Sequence, residues 1–217
     1  MAKEKKDSTQ TWTKKTWYQI YSRKNYTEML LGESLAYQPQ DLFGRYIGAN
    51  LMNLTGDLKK QHITIKFKIQ EFKDNKLYAD PVAIIISPSA IKRHVRRGKD
   101  RLDDSFLLIT KDNVTLRVKP LIITKTNTKS SILKLIRKVC YQALAAYFKK
   151  SDVETIFKDA MMLKLQSTVR GNITKIYPLR LFEIKYLGLE ETEKTAEIAQ
   201  LETESPVQIE KVAEVEQ

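Results

Sequence analysis

The middle of the chain alternates apolar and polar side chains with a period of two. Ile63, Ile65, Phe67 and Ile69 are separated by Thr, Lys and Lys, a pattern typical of an antiparallel strand with one buried face. Further strand-like segments occupy residues 43–54, 75–86, 102–110, 113–123 and 179–189. A series of hairpins with one apolar face can bury that face by closing into a small barrel. We therefore predict an α+β fold, with a small antiparallel β-barrel core flanked by helices within residues 34–189.

Turn residues separate these segments. Asp112-Asn113 lies between two strand-like segments and predicts a tight hairpin. Pro120 lies inside the segment 113–123, and because proline has no backbone N–H it predicts a sheet edge or a bulge at that position.

Three segments have the period or the end signals of helices. Pro88 and Gly98 bracket a helix over about 88–97, because proline favours the first turn and glycine the C-terminal end. The apolar spacing predicts a second helix over 130–149. A third is predicted over 152–164, started by a capping box formed by Ser151 and Glu154.

The first of these helices concentrates positive charge. Lys92 and Arg96, and likewise Arg93 and Arg97, stand four residues apart, and none of residues 91–99 is acidic. Like charges at this spacing repel each other on a helix unless an anion lies over them. We predict that this face contacts phosphate, the alternative being a solvated basic face.

Charge is divided unevenly along the chain. Residues 1–189 hold 36 Lys and Arg against 17 Asp and Glu, a net charge of +19, whereas residues 190–217 hold nine Glu against two Lys, a net charge of −7. A body with this excess of cations attracts nucleic acid. The segment 190–217 has few large apolar side chains, and we expect an acidic, disordered C-terminal tail that avoids RNA.

Residues 1–33 mix lysines and aromatic residues without a clear period. Lys14, Lys15, Trp17, Tyr18, Arg23 and Lys24 all belong to this segment. Basic side chains follow phosphates, and aromatic rings stack on bases or fill protein pockets, so we predict an extended N-terminal arm that becomes ordered on a partner. The alternative is that the aromatic residues fill the core of the following domain.

Residues for catalysis or metal binding do not form a recognisable set. The chain has two histidines and one cysteine, with no metal-ligand spacing and no phosphate-binding glycine loop. We predict no enzyme activity, no metal and no cofactor, and we interpret Cys140 as a buried apolar residue on a helix. No apolar run approaches the roughly 20 residues of a membrane span, and no secretion signal is evident, so we expect a cytoplasmic protein without a membrane partner.

Four motifs resemble one family. They are WTKKTWY at 12–18, GRYIGANLMNLTGDLKKQHITIKF at 44–67, IKRHVRRGKDRLD at 91–103 and KIYPLRLFEIK at 175–185. They resemble, in unbroken order over about 12–189, the archaeal members of the small-subunit ribosomal protein family of the "S-one-e" type. The resemblance implies a β-barrel flanked by helices on the platform of the small subunit. It also implies a non-catalytic role in binding ribosomal RNA and neighbouring platform proteins near the messenger RNA exit, with messenger RNA and initiation factors as further candidate partners.

The predicted RNA-contacting residues combine the basic motifs with the cations of the strands and of the second helix. They are Lys14, Lys15, Trp17, Tyr18, Arg23, Lys24, Lys66, Lys68, Lys92, Arg93, Arg96, Arg97, Lys99, Arg101, Lys134, Arg137 and Lys138. The last strand has fewer basic residues than the family pattern, and the segment beyond 189 lies outside that pattern. A free single-stranded RNA-binding or translation-initiation module stays the alternative, although the outward residues of 64–70 are lysines and polar residues, which favours backbone contact.

Overall fold

The computed structural model describes residues 14–23 and 28–190, which form nine strands and five α-helices. The chain divides into two compact units, residues 1–87 and 88–217, here called the N-terminal and C-terminal units. Among the described helices, none is long and apolar enough to cross a membrane.

The N-terminal unit is built on five strands. These are β1 Thr16–Ser22, β2 Leu30–Ala36, β3 Tyr46–Asn50, β4 Ile63–Lys73 and β5 Lys76–Ile86, with the short helix α1 at Leu51–Thr55. The strands pair in the order β2–β1–β5–β4–β3; β1 and β5 run parallel and the other pairs antiparallel. Ile63, Ile65, Phe67 and Ile69 are buried, as the period-two pattern predicts, and Lys66 is exposed between them.

The C-terminal unit pairs a four-strand sheet with helices. Its elements are α2 Pro88–His94, β6 Arg101–Asp103, β7 Phe106–Ile109, β8 Thr115–Thr124, α3 Ser130–Phe148, α4 Val153–Met161, α5 Lys164–Thr174 and β9 Leu179–Leu189. Strand β8 pairs with β9 on one side and with β6 and β7 on the other, all antiparallel. Helix α5 packs against α3, α4 and β9, and α3 also packs against β7.

The α+β class is confirmed, but a closed barrel is not shown. Within the described residues of the N-terminal unit, the pairing ends at β2 on one side and at β3 on the other. The barrel therefore stays a prediction.

The extended arm is replaced by strands where the structure describes it. Residues 16–22 and 30–36 form β1 and β2, and β1 also pairs with β5, through Ile20 opposite Leu77. Ile20 is fully buried, so the sheet holds residues 16–22 in place, and their contact with RNA stays a prediction. Residues 1–13 and 24–27, which include Lys24, lie outside the described part, as does the predicted tail from residue 191.

Several element bounds differ from the prediction. The segment 43–54 leaves the strand at Asn50, whose side-chain Oδ1 accepts a hydrogen bond from the Met52 N–H (2.9 Å) and starts α1. The segment 102–110 is split into β6 and β7 opposite Pro120, where β8 shifts register against β9. This bulge confirms the local prediction from Pro120, because a proline cannot donate to the ladder.

The helix ends also differ. Helix α2 stops at His94 rather than near residue 97, and Gly98 adopts a left-handed φ of 75° that turns the chain. The capping box is wrong: Asp152 is the N-cap of α4 and its side chain makes no cap bond. Instead, Asp112 of the β7–β8 hairpin accepts the N–H of Val153 (3.0 Å). The predicted helix 152–164 ends at Met161, and α5 follows it.

Candidate nucleic-acid interface

Helix α2 presents its cations to solvent because its apolar residues fix the opposite side. Ala90 and Ile91 are buried, whereas Lys92 and Arg93 are exposed. Like-charge repulsion at i,i+4 disfavours a further helical turn through Arg96 and Arg97, and both side chains lie exposed in the segment that follows the helix. The result is a basic segment on the surface of the C-terminal unit.

Beyond Gly98, the chain brings Lys99 close to Arg96 and to Arg180 of β9. The pKa of Lys99 is lowered, first by desolvation and then by the positive charges of Arg180 and Arg96. Desolvation and neighbouring positive charge both disfavour the charged form of a lysine. We call Arg96, Lys99 and Arg180 the cation cluster.

No carboxylate of a described residue forms an ion pair with the cation cluster. The adjacent acid, Asp100, is directed elsewhere: its Oδ2 accepts the Thr128 N–H (2.6 Å) and the Thr128 hydroxyl (3.1 Å). This carboxylate therefore closes the loop after β8 instead of neutralising its basic neighbours. The cluster is a site where an external anion would relieve repulsion.

Other predicted cations are held by acids within the chain. Arg23 reaches Glu71 (3.0 Å) and Asp80 (3.1 Å), and Arg101 pairs with Asp103 of its own strand. A cation that already has a carboxylate partner gains less from a phosphate, because the existing pair must first be broken.

Of the three predicted cations on α3, one is paired with an acid and two are not. Arg137 pairs with Asp104 (3.2 Å), whose pKa is raised, mainly by burial. Lys134 and Lys138 are exposed, and neither forms an ion pair with a described residue. Helix α3 thus offers two unpaired lysines for anion contact.

The predicted aromatic residues of β1 have different environments. Tyr18 is half-buried and packs edge-to-face on Phe72 (ring centroids 6.1 Å apart), so it takes part in the fold, and its contact with RNA stays a prediction. Trp17 is 67% exposed. Lys14 and Lys15 are exposed beside it, and the Lys15 Nζ lies 5.1 Å from the ring centre of Tyr37.

The outward face of β3 and β4 combines lysines with the ring of Tyr46, which is not among the residues predicted to contact RNA. Lys68 lies directly across from Tyr46, with Nζ 5.8 Å from the ring centre. Tyr46 is 56% exposed, and Lys66 lies opposite Gly48. Tyr46 belongs to the neighbouring strand, so the alternation within 64–70 alone could not place it on this face.

Cys140 offers no reactive thiol. It is fully buried on α3, and burial, followed by the charge of Asp104, raises its pKa to about 12. The interpretation of this residue as a buried apolar side chain is confirmed. Among the described residues, no group of three or more His, Cys, Asp or Glu is placed to hold a metal ion.

Comparison with known proteins identifies relatives over most of the chain. The profile of the Ribosomal S3Ae family matches residues 3–192. A small ribosomal subunit protein eS1 of Methanobrevibacter smithii is 31% identical over 183 residues, covering 84% of this chain and 95% of the relative. Proteins of the same name from Methanothermobacter thermautotrophicus (30% identity, 80% of this chain, 89% of the relative) and Nanoarchaeum equitans (29%, 84% and 92%) are also similar.

Proposed function

Because the chain belongs to the Ribosomal S3Ae family, we propose that it is a structural, non-catalytic constituent of the small ribosomal subunit and that it binds ribosomal RNA. Its archaeal relatives are named small ribosomal subunit protein eS1, which supports a place in the small subunit. The single observation that supports RNA binding is the cation cluster, in which Arg96, Lys99 and Arg180 gather without a carboxylate partner among the described residues.

Contact through the phosphate backbone fits this chemistry best. Arg96 and Arg180 are close enough to Lys99 to contribute, after desolvation, to the lowering of its pKa, and a phosphate oxygen placed among the three cations would accept charge-assisted hydrogen bonds. The exposed Lys92, Arg93 and Arg97 extend the same surface. Binding of this kind depends on salt and hardly on base sequence.

We further propose a position on the platform of the subunit, near the messenger RNA exit and beside other platform proteins, with the predicted barrel core seated there. The resemblance of residues 12–189 to the family supports this position. Messenger RNA and initiation factors are further partners that we propose.

The test measures the affinity of the full chain for a small-subunit ribosomal RNA transcript over a series of salt concentrations. Replacing Arg96, Lys99 or Arg180 with Gln should lower the affinity and reduce the slope of log affinity against log salt by about 0.7–0.9 per lost phosphate contact. Co-sedimentation with small subunits in a sucrose gradient measures assembly independently.

Lys111 provides the matched control. It belongs to the same unit, it is exposed, and it already pairs with Asp152 (3.3 Å), so Lys111→Gln removes one positive charge from outside the cluster. The control should leave the slope unchanged. Equal slopes for control and cluster variants would show that net charge alone, and not this cluster, attracts the RNA.

A second candidate function is a free module for single-stranded RNA. It is favoured by Tyr46, which is exposed next to Lys68 on an outward strand face, because a base could stack on this ring. Under this alternative, Tyr46→Ala should weaken binding to a single-stranded oligonucleotide more than Lys99→Gln does. If the chain is a ribosomal protein as proposed, Lys99→Gln should weaken binding to the ribosomal RNA transcript more than Tyr46→Ala does.

A further inference from the structure

The outward face of β1 and β2 carries apolar side chains that the fold does not cover. Trp17 lies directly opposite Leu35 in the antiparallel pair, and the next outward pair is Gln19 opposite Glu33. Trp17 is 67% exposed and Leu35 37%. The inward face of the same strands holds the buried Ile20, so the exposed tryptophan is not needed for the core. Exposed Trp and Leu side by side are typical of protein contacts.

Strand β2 is also an open edge. Within the described residues it pairs only with β1, and the register is regular from Ala36 opposite Thr16 to Gly32 opposite Ile20. An edge strand presents unpaired N–H and C=O groups, which proteins commonly protect with lysine, proline or a bulge. The segment Gly32–Ala36, GESLA, has neither lysine nor proline, and the register shift begins only beyond Gly32.

The charges of this face favour a protein over RNA as its partner. Glu33 stands in the middle of the outward face, and no described cation forms an ion pair with it; its side chain accepts only a long hydrogen bond from Gln19 (3.4 Å). A phosphate backbone would be repelled there. A strand added beside β2 would instead place one of its side chains next to Leu35 and another, two positions along, next to Glu33.

We propose that β2 receives, as an added strand, an extended segment of a neighbouring basic protein of the small subunit. The segment has an apolar residue beside Leu35 and, two positions away, a Lys or Arg beside Glu33, and Trp17 extends the apolar surface behind this contact. Main-chain hydrogen bonds along Gly32–Ala36 supply affinity, and the two side-chain positions supply specificity. This inference rests on the proposed function, because it assigns one protein contact of the assembled subunit.

Backbone hydrogen exchange of the full chain, free and in purified small subunits, tests the added strand. Within Gly32–Ala36, the backbone amides that point away from β1 should exchange at least about tenfold more slowly in the subunit than in the free chain, because strand pairing protects them. Leu35→Lys places a lysine at the open edge, and Glu33→Lys reverses the charge that recognises the partner. Both variants should abolish the slower exchange of the β2 amides in the subunit, while the variant chains still co-sediment with small subunits.

The matched control is Leu58→Lys, since Leu58 belongs to the same unit and is 78% exposed, and it should leave the slowing of the β2 amides intact. A photoreactive benzophenone amino acid at position 35 should cross-link to one protein segment of the subunit. Unchanged exchange in subunits, slowing that survives both β2 variants, or cross-links to RNA would each overturn the inference. Failure of the unmodified chain to co-sediment would overturn the proposed function itself.

Discussion

The last described residue, Glu190, is predicted to contribute to stability although it begins the acidic segment. Its carboxylate accepts two hydrogen bonds from Arg117, from Nε (2.6 Å) and from Nη2 (2.7 Å), and its N–H donates to the Thr115 carbonyl (3.1 Å). The pKa of Arg117 is raised, first by this hydrogen bond. A bidentate pair ties the end of β9 to β8.

The size of the effect follows from geometry and exposure. Hydrogen bonds to charged groups contribute about 1.5–3 kcal/mol when buried, but the side chains of Arg117 and Glu190 are 31% and 26% exposed, so solvent screens the pair. We expect Glu190→Ala to lower the free energy of unfolding by about 1–2 kcal/mol. In a chain of this size, that is a fall of roughly 2–8 °C in the midpoint of thermal unfolding.

A double-mutant cycle with Arg117→Met measures the pair itself. The coupling should be about 1 kcal/mol and should fall at high salt. A chain that ends at Glu190 should unfold at the same temperature as the full chain, whereas one that ends at Leu189 should unfold earlier. A coupling near zero, or equal midpoints for the two truncations, would refute the reasoning.

Three further outcomes are expected. Gly188→Ala should lower the free energy of unfolding by only about 0.5–1.5 kcal/mol, since its Cβ would lie 2.5 Å from the Tyr186 hydroxyl, the far end of a half-buried side chain that can turn away; thermal unfolding checks this, and a loss above about 3 kcal/mol would contradict it. Asp112→Ala should lower the free energy of unfolding by about 1 kcal/mol because the Val153 N–H loses its acceptor; urea unfolding checks this, and an unchanged midpoint would contradict it. Iodoacetamide at pH 8 should not modify Cys140 in the folded chain, because a pKa of about 12 leaves roughly one thiol in ten thousand ionised; rapid labelling without unfolding would contradict the burial.

The sequence predicted those elements whose signals are local. The period of two placed Ile63–Ile69 correctly in β4 because one face of that strand is fully buried, and Pro120 marked a bulge because proline lacks an N–H wherever it stands. Helix α3 spans Ser130–Phe148, close to the predicted 130–149. Helix α5 was missed although Leu165, Val169 and Ile173 are all buried at intervals of four, since the intervening residues are polar and include a glycine.

The N-terminal strands were missed for a different reason. The lysines and aromatic rings around Trp17 resemble an RNA-binding arm in composition, and the inward positions of β1 include Thr16, Tyr18 and Ser22, which give no apolar alternation. The strand is stabilised by its parallel partner β5, more than 50 residues away along the chain. No local pattern of residues 1–33 contains that information.

The candidate interface shows the same division between local pattern and tertiary placement. Lys92, Arg93, Arg96 and Arg97 could be identified because they are close in sequence, but Arg180 joins Arg96 and Lys99 only through the turn at Gly98 and the position of β9 beside β8. Conversely, Arg23, Arg101 and Arg137 fit the basic composition equally well, yet the fold supplies each with a carboxylate. Composition therefore gives the number of cations, and the tertiary fold decides which of them remain without an acid partner. Because a phosphate gains most at a cation that has no internal partner to give up, the strongest RNA contacts should follow the unpaired residues rather than the local density of Lys and Arg.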